Sequence, residues 1–331
     1  MKKNILITGA LGFLGYNISK LLAENFPMYN IIGVDNEKDH KYINNKELLL
    51  KYNNFYYIQG DVLNKKLIRD IFLCKHSILN ELSEIDGIDI VYTTAFESLL
   101  YDISTQGLEY YQNNILGTTN IAIEYILAKN RNKKLIYLSS CYVYGFTDSE
   151  KPFDEYSPLN PQSRNASIKL AVELLLRSLH ETFNLPIIIA RIPSFYGPGI
   201  HGDHLLNNII NAIVKNKPIE IDFSEKSIIN TIFYEDLIIG LESFIPFNAT
   251  FNTFNMGGIN ISLGNFTKIV NDIFSKLTGQ KRGDNIIIFK NKIDKNCCIS
   301  SNNVYKYVGW KNYTSVELGI EKTIKGILNA N

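Results

Sequence analysis

Gly9, Gly12 and Gly15 stand three apart between an apolar run, Asn4–Thr8 (NILIT), and a helical pattern that begins with Phe13 and Leu14. A turn of this composition suits an anion. One glycine makes the tight turn, one lets the backbone approach a pyrophosphate, and one allows close helix–strand packing. The helix N-terminus then adds N–H groups and the positive end of its dipole. The spacing is G-x-x-G-x-x-G rather than the commoner G-x-G-x-x-G, but the strand before it and the helix after it are in the required order. Asp35 closes the second apolar run, 20 residues past Gly15, and Asn36 follows it. A carboxylate there accepts hydrogen bonds from a ribose hydroxyl and repels a 2′-phosphate, so NAD is expected over NADP. Gly60-Asp61-Val62 ends the third run. It either sets a second carboxylate near the adenine or simply ends a strand.

Other reactive residues carry less. His201, Asp203 and His204 are too few and too close for a metal site, and their loop reads as substrate-contacting or solvated; no metal is expected. Cysteines stand at 74, 141, 297 and 298, with no C-x-x-C pair. They are expected to be reduced thiols, Cys141 as a small buried residue.

The elements that must position these residues alternate. Strands are predicted at Asn4–Thr8, 31–34, Phe55–Gln59, 88–93, 134–139 and 185–191. Helices are predicted at 12–24, 106–129 and 166–182. Strands alternating with helices imply parallel β-α-β units, hence an α/β fold: a Rossmann-type parallel sheet with helices on both faces. Beyond Pro193 the pattern loosens. Helices are predicted at Leu205–Lys215, 234–243, 263–277 and 315–328, and extended segments at Ile219–Ile221 and Ile228–Phe233. This reads as a smaller mixed lobe. The expected division is 1–192 with 228–258 for the cofactor, and 193–227 with 259–331 for the substrate, with the active cleft between the lobes.

Composition narrows the function classes. Of 331 residues, 45% are hydrophobic and 20% charged, which is ordinary globular usage. Lys+Arg 34 against Asp+Glu 33 gives no basic surface for nucleic acid. No apolar run reaches the ~18 residues of a membrane span. Met1-Lys2-Lys3 and the apolar residues after it imitate a leader, but the glycines interrupt them, so a cytoplasmic protein is expected. The richness in Asn, Ile and Lys resembles usage from an AT-rich bacterial genome.

Nearly the whole chain resembles the extended short-chain dehydrogenase/reductases, specifically the NAD-dependent sugar-nucleotide epimerase/dehydratase family. The matching segments include Thr8-Gly-Ala-Leu-Gly-Phe-Leu-Gly15, Gly60-Asp61-Val62 and Asp89-Ile-Val-Tyr-Thr-Thr-Ala95. They continue with Asn114-Ile-Leu-Gly-Thr118, Tyr137-Leu-Ser-Ser-Cys-Tyr-Val-Tyr-Gly145 and Ser167-Ile-Lys169 with Glu173. The last are Arg191 with Tyr196-Gly-Pro-Gly199, Phe233-Tyr-Glu-Asp236, Asn255-Met-Gly-Gly258 and Val308-Gly-Trp310. The resemblance implies a nucleotide-sugar substrate whose carbon is oxidised to a ketone, with Ser140 bonding the reacting oxygen and Lys169 holding the nicotinamide ribose. Thr93, Ala95 and Pro193 join the expected cofactor surface, and Ser194 and Arg282 the substrate surface. Arg191 or Arg282 would clamp the diphosphate, Arg191 reading more readily as structural. The helices at 106–129 and 166–182 would form a homodimer interface.

The family's tyrosine does not carry over. Its place, four before Lys169, holds Asn165, which cannot ionise near neutral pH. A tyrosine–lysine pair at that spacing does occur at Tyr42 and Lys46, outside the expected cleft, and is discounted as a proton-transfer pair. Three readings stand: a tyrosine replaced in the laboratory; a natural enzyme with another base, Tyr142 first and then His201 or His204; or a binding protein without catalysis. Cys141-Tyr142 also stands where 4,6-dehydratases of the family carry Asp-Glu, so oxidation, epimerisation or ketone reduction at C4 is expected over dehydration.

Overall fold

The computed structural model describes residues 3–80, 87–97, 107–108, 110–128, 133–202, 204–283 and 286–329. The chain divides into two compact units. The first comprises Met1–Ser139, Ser167–Ala190 and Phe244–Thr253; the second comprises Ser140–Ala166, Arg191–Ser243 and Phe254–Asn331.

The first unit is built on a seven-stranded sheet. Its strands are β1 (Asn4–Thr8), β2 (Asn30–Asp35), β3 (Phe55–Gln59), β4 (Ile90–Thr93), β5 (Lys134–Ser140), β6 (Ile187–Ile192) and β10 (Phe251–Asn255), in the order β10-β6-β5-β4-β1-β2-β3. β1 is buried along its whole length, because helices covering both faces of a parallel sheet demand apolar residues at every position, not at alternate ones. β1 pairs in parallel with β2 on one side and β4 on the other, so Thr8 lies opposite both Val34 and Thr93. From β1 the strand order runs outward in opposite directions. That reversal is a topological switch point, the place where open α/β sheets bind ligands. Gly9 and Thr94 follow directly from β1 and β4, and Asp35 is the last residue of β2, all on this edge.

The sheet's core includes Leu6, Ile32, Val34, Val91, Leu135 and Ile187, capped by helix residues such as Ile68, Tyr125 and Val172. β4 starts at Ile90 rather than 88; just before it the Asp89 carboxylate accepts the Asn4 N–H at 2.8 Å and the Asp89 N–H donates to the Asn4 carbonyl at 2.9 Å. The predicted helix at 106–129 has both ends outside the described residues. Within it, Gln112–Leu116 widens to a π turn before the α-helix Gly117–Leu127. Asn114 in that turn is buried and holds both backbone groups of Glu97, accepting its N–H at 2.8 Å and donating to its carbonyl at 3.1 Å.

The second unit carries two small sheets. One has the order β11-β9-β7, from Ile259–Ser262, Ile228–Phe233 and Ser194–Tyr196; the other pairs β12 (Ile287–Phe289) with β8 (Ile219–Ile221). Its core gathers Tyr196, Phe233, Phe266 and Phe274 under the helices Leu205–Lys215, Leu263–Thr278 and Val316–Asn329. No helix among the described residues is long and apolar enough to cross a membrane.

Candidate cofactor and active site

In the first unit, the three glycines answer to different neighbours. Gly9 has φ +71°, and a Cβ there would lie 2.7 Å from the Ala95 backbone. At Gly15 a Cβ would sit 2.0 Å from the Gly9 carbonyl. Both glycines are therefore required by the protein's own packing. Gly12 is different: its φ is −60°, and an added Cβ would meet nothing closer than the Gly9 carbonyl at 3.4 Å. The protein itself leaves room for a side chain at the N-cap of the helix Phe13–Asn25, where glycine has none with which to cap it. Open backbone at a helix N-terminus fits a dinucleotide pyrophosphate. Phe13 and Leu14 in the first turn are half-buried.

Asp35 is tied to this turn. One carboxylate oxygen accepts the Leu11 N–H at 3.0 Å and the other the Glu37 N–H at 2.8 Å. Burial pushes its pKa up, and the two backbone bonds oppose the rise. Each oxygen keeps lone-pair capacity for a ribose hydroxyl. Asp61 accepts the Leu63 N–H at 2.9 Å and the Asn36 amide at 3.0 Å, so Asn36 and Asp61 meet although 25 residues apart. The Val62 carbonyl is held by Asn120 at 2.7 Å. Thr93 is buried and donates to the Ile136 carbonyl at 3.2 Å, while Ala95 packs on Gly9.

Lys169 is half-buried. Its ammonium donates to the Leu138 carbonyl at 2.7 Å and lies 3.9 Å from the Phe96 ring centre and 5.1 Å from that of Tyr137. Loss of water pushes its pKa down to about 7, against the pull of Glu173. Glu173, one turn further on, accepts the Ser139 hydroxyl.

In the second unit, the Ser140 hydroxyl accepts the Tyr142 N–H at 3.2 Å and so caps the short 3-10 turn Cys141–Tyr144. The Tyr142 hydroxyl meets Ser194 Oγ at 2.6 Å. Ser140, Tyr142 and Ser194 are thus linked, as separate segments of sequence did not reveal. Burial raises the Tyr142 pKa well above its ordinary value, the wrong direction for a phenolate base. Asn165 is exposed in the first turn of the helix Arg164–Phe183. Pro193 is buried.

The two arginines expected near the diphosphate are placed as follows. Arg191 is buried and donates to the Tyr144 hydroxyl at 2.8 Å, which in turn donates to Asn255 at 2.8 Å. Arg282 donates to the carbonyls of Ile213 and Val214 at 3.0 and 3.3 Å and stacks on Phe274, so it closes the end of the helix Leu205–Lys215. His201 is exposed, and the His204 ring lies 5.1 Å from that of Phe195; Asp203 lies outside the described residues. No group of three metal-type ligands occurs among the described residues.

Four relevant side chains carried no signal that the sequence reading used: Glu37, Lys46, Tyr57 and Gln59. They join beside Asp35, with Glu37 accepting from the other three. The spacing of Tyr42 and Lys46 is visible in the sequence, where it is discounted as a proton-transfer pair. Cys297 was likewise visible, yet only the fold puts its sulfur 3.8 Å from that of Cys141.

Comparison with known proteins adds a family. The model of the NAD dependent epimerase/dehydratase family matches residues 5–257. A dTDP-D-glucose 4,6-dehydratase of Dictyostelium discoideum is 30% identical over 268 residues, covering 77% of this chain and 58% of that protein. Human dTDP-D-glucose 4,6-dehydratase is 24% identical over 327 residues, covering 98% and 89%. Among solved structures, UDP-glucuronic acid 4-epimerase from Bacillus cereus, in complex with UDP-glucuronic acid and NAD, superposes with a TM-score of 0.82 at 22% identity. It covers 99% of this chain and 100% of its own. The dTDP-glucose 4,6-dehydratase of Bacillus anthracis, in complex with NAD, gives 0.82 at 19% identity, over 99% and 97%.

Proposed function

Because the chain belongs to the NAD dependent epimerase/dehydratase family, we propose that it binds NAD and modifies a nucleotide-linked sugar, by C4 oxidation, epimerisation or 4-keto reduction, in bacterial surface-polysaccharide synthesis. The observation that carries the reading is the space left at Gly12 beside the Asp35 carboxylate, a cradle built of backbone with no side chain of its own to fill it.

Gly9, Gly12 and Gly15 would hold the pyrophosphate, with Asp35 on the adenosine ribose. Asn36, Asp61 and Val62 would line the adenine end. Lys169 would hold the second ribose, and Thr93, Ala95 and Pro193 complete the cofactor surface. NAD, when bound, supplies a hydride acceptor. Ser140 would donate a hydrogen bond to the reacting sugar oxygen, with Ser194 beside it on the substrate. A cytoplasmic homodimer is part of the proposal. Leu174 and Leu175 on the helix Arg164–Phe183 are 60% and 40% exposed, apolar surface that a homodimer interface would cover.

The exposed Asn165 favours a second reading, a protein that binds cofactor and sugar nucleotide without turning them over. Two measurements decide. Mass spectrometry and fluorescence titration are expected to find NAD bound; no affinity for NAD(H) would end both readings. Hydride exchange across a panel of UDP-, GDP-, dTDP- and CDP-sugars then separates them, since the enzyme is active with at least one and the silent binder with none.

A further inference from the structure

The residues around Glu37 form a closed device at the adenosine end of the cradle. Lys46 donates to one Glu37 carboxylate oxygen at 2.8 Å and the Tyr57 hydroxyl to the same oxygen at 2.9 Å. Gln59 donates to the other oxygen at 3.0 Å. These bonds hold Glu37 in left-handed backbone, φ +60°, a conformation that a residue with a Cβ adopts only at a cost. They also hold its pKa below the ordinary carboxylate value, Lys46 contributing most, so it stays charged. The same backbone conformation delivers the Glu37 N–H to Asp35 at 2.8 Å. Next to Lys46, the Asn45 amide donates to the Leu11 carbonyl at 2.8 Å inside the glycine turn. The short helix Asn45–Leu49 therefore grips both the pyrophosphate turn and the neighbour of the ribose carboxylate.

A plain surface ion pair is too weak to need three anchors and a strained backbone. Charge gives the device a purpose. The Lys46 ammonium bonds the side chain of Glu37, whose N–H in turn binds the Asp35 carboxylate, and a 2′-phosphate would stand beside that carboxylate. Paired with Glu37, the ammonium charge is spent. The carboxylates of Asp35, Glu37 and Asp61 then outnumber the ammonium groups of Lys46 and Lys38, the latter 3.8 Å from Asp61.

We propose that Glu37 sets the choice between the two dinucleotides by sequestering Lys46, which would otherwise accept a 2′-phosphate. The inference rests on the cofactor reading of the site and adds to it the residue pair that refuses NADP alongside Asp35.

The test is fluorescence titration of the full-length protein with NADH and with NADPH, read as the ratio of the two affinities. Glu37→Gln is expected to raise the NADPH:NADH ratio by ~10-fold or more, the order of one uncompensated charge at short range. Adding Lys46→Met to it should abolish the gain. Lys46→Met alone leaves Glu37 uncompensated and should lower the ratio, a readout that survives even if Glu37→Gln folds poorly. A purely structural pair would weaken both dinucleotides alike and leave the ratio where it was, which overturns the inference. A gain that persists without Lys46 also overturns it. Wild-type protein that binds neither dinucleotide brings down the cofactor reading itself, whereas NADH binding with an unmoved ratio brings down this inference alone.

Discussion

The Tyr142 hydroxyl lies 2.6 Å from the Ser194 hydroxyl, tying the turn after β5 to strand β7. A tyrosine in such a bond serves as a donor or as an anchor for Ser194. To serve as a base it must lose its proton near neutral pH, and burial acts against that. The tyrosinate absorbance difference between wild type and Tyr142→Phe is expected to show no ionisation at pH ~10, the ordinary tyrosine value. An ionisation near pH 7 would make Tyr142 the base after all.

Asn165 is exposed one helical turn before Lys169, so a larger ring is accommodated there without displacing the core. Asn165→Tyr is expected to raise turnover of the accepted sugar nucleotide by ~10²–10⁴, the usual worth of a positioned acid–base group. Equal turnover in the two proteins would mean that another group already carries the proton.

The glycines of the turn separate folding from binding. Gly15→Ala puts a methyl group within 2.0 Å of the Gly9 carbonyl, so backbone must move; a loss of about 2 kcal/mol is expected in urea unfolding. Gly12→Ala adds only a Cβ, which meets nothing closer than 3.4 Å, and should stay near the wild-type midpoint while losing NAD affinity. Equal NAD binding by Gly12→Ala would show that the open space is not the pyrophosphate site.

Lys169 couples the fold to pH. Its pKa is about 7 in the folded protein, against ~10.4 in the unfolded chain. Between those values the unfolded chain binds the extra proton, so this residue's contribution to stability rises with pH across that window and is lost as pH falls towards 7. Lys169→Met should therefore be more stable than wild type at pH 7, with a smaller advantage at pH 9. Urea midpoints at the two pH values measure it; a gap that is constant or widens with pH contradicts the buried ammonium.

Much of the fold was legible because it is local. Asn4–Thr8, Phe55–Gln59, Leu205–Lys215 and Ile228–Phe233 were predicted with the observed bounds, since strands here are short β-rich apolar runs and helices repeat near every fourth residue. The polar helix Lys65–Phe72 and strand β10 were not predicted. The helix is only eight residues long, and Phe251–Asn255 carries asparagine or threonine at three of its five positions.

By itself the sequence determined the glycine turn, the carboxylate at the end of β2, Ser140, Lys169 and the missing tyrosine, because each is a residue type at a fixed distance along the chain. Only the tertiary structure decided what those residues face. It showed that Gly9 and Gly15 are required by packing and Gly12 is not, and that Arg282 closes a helix. It also made Lys46, discounted as half of a proton-transfer pair, the partner of Glu37. These outcomes depend on which segments the fold brings together, from Glu37 and Lys46, 9 residues apart, to Ile213 and Arg282, 69 apart, and on the water each contact excludes. Neither spacing nor composition records them.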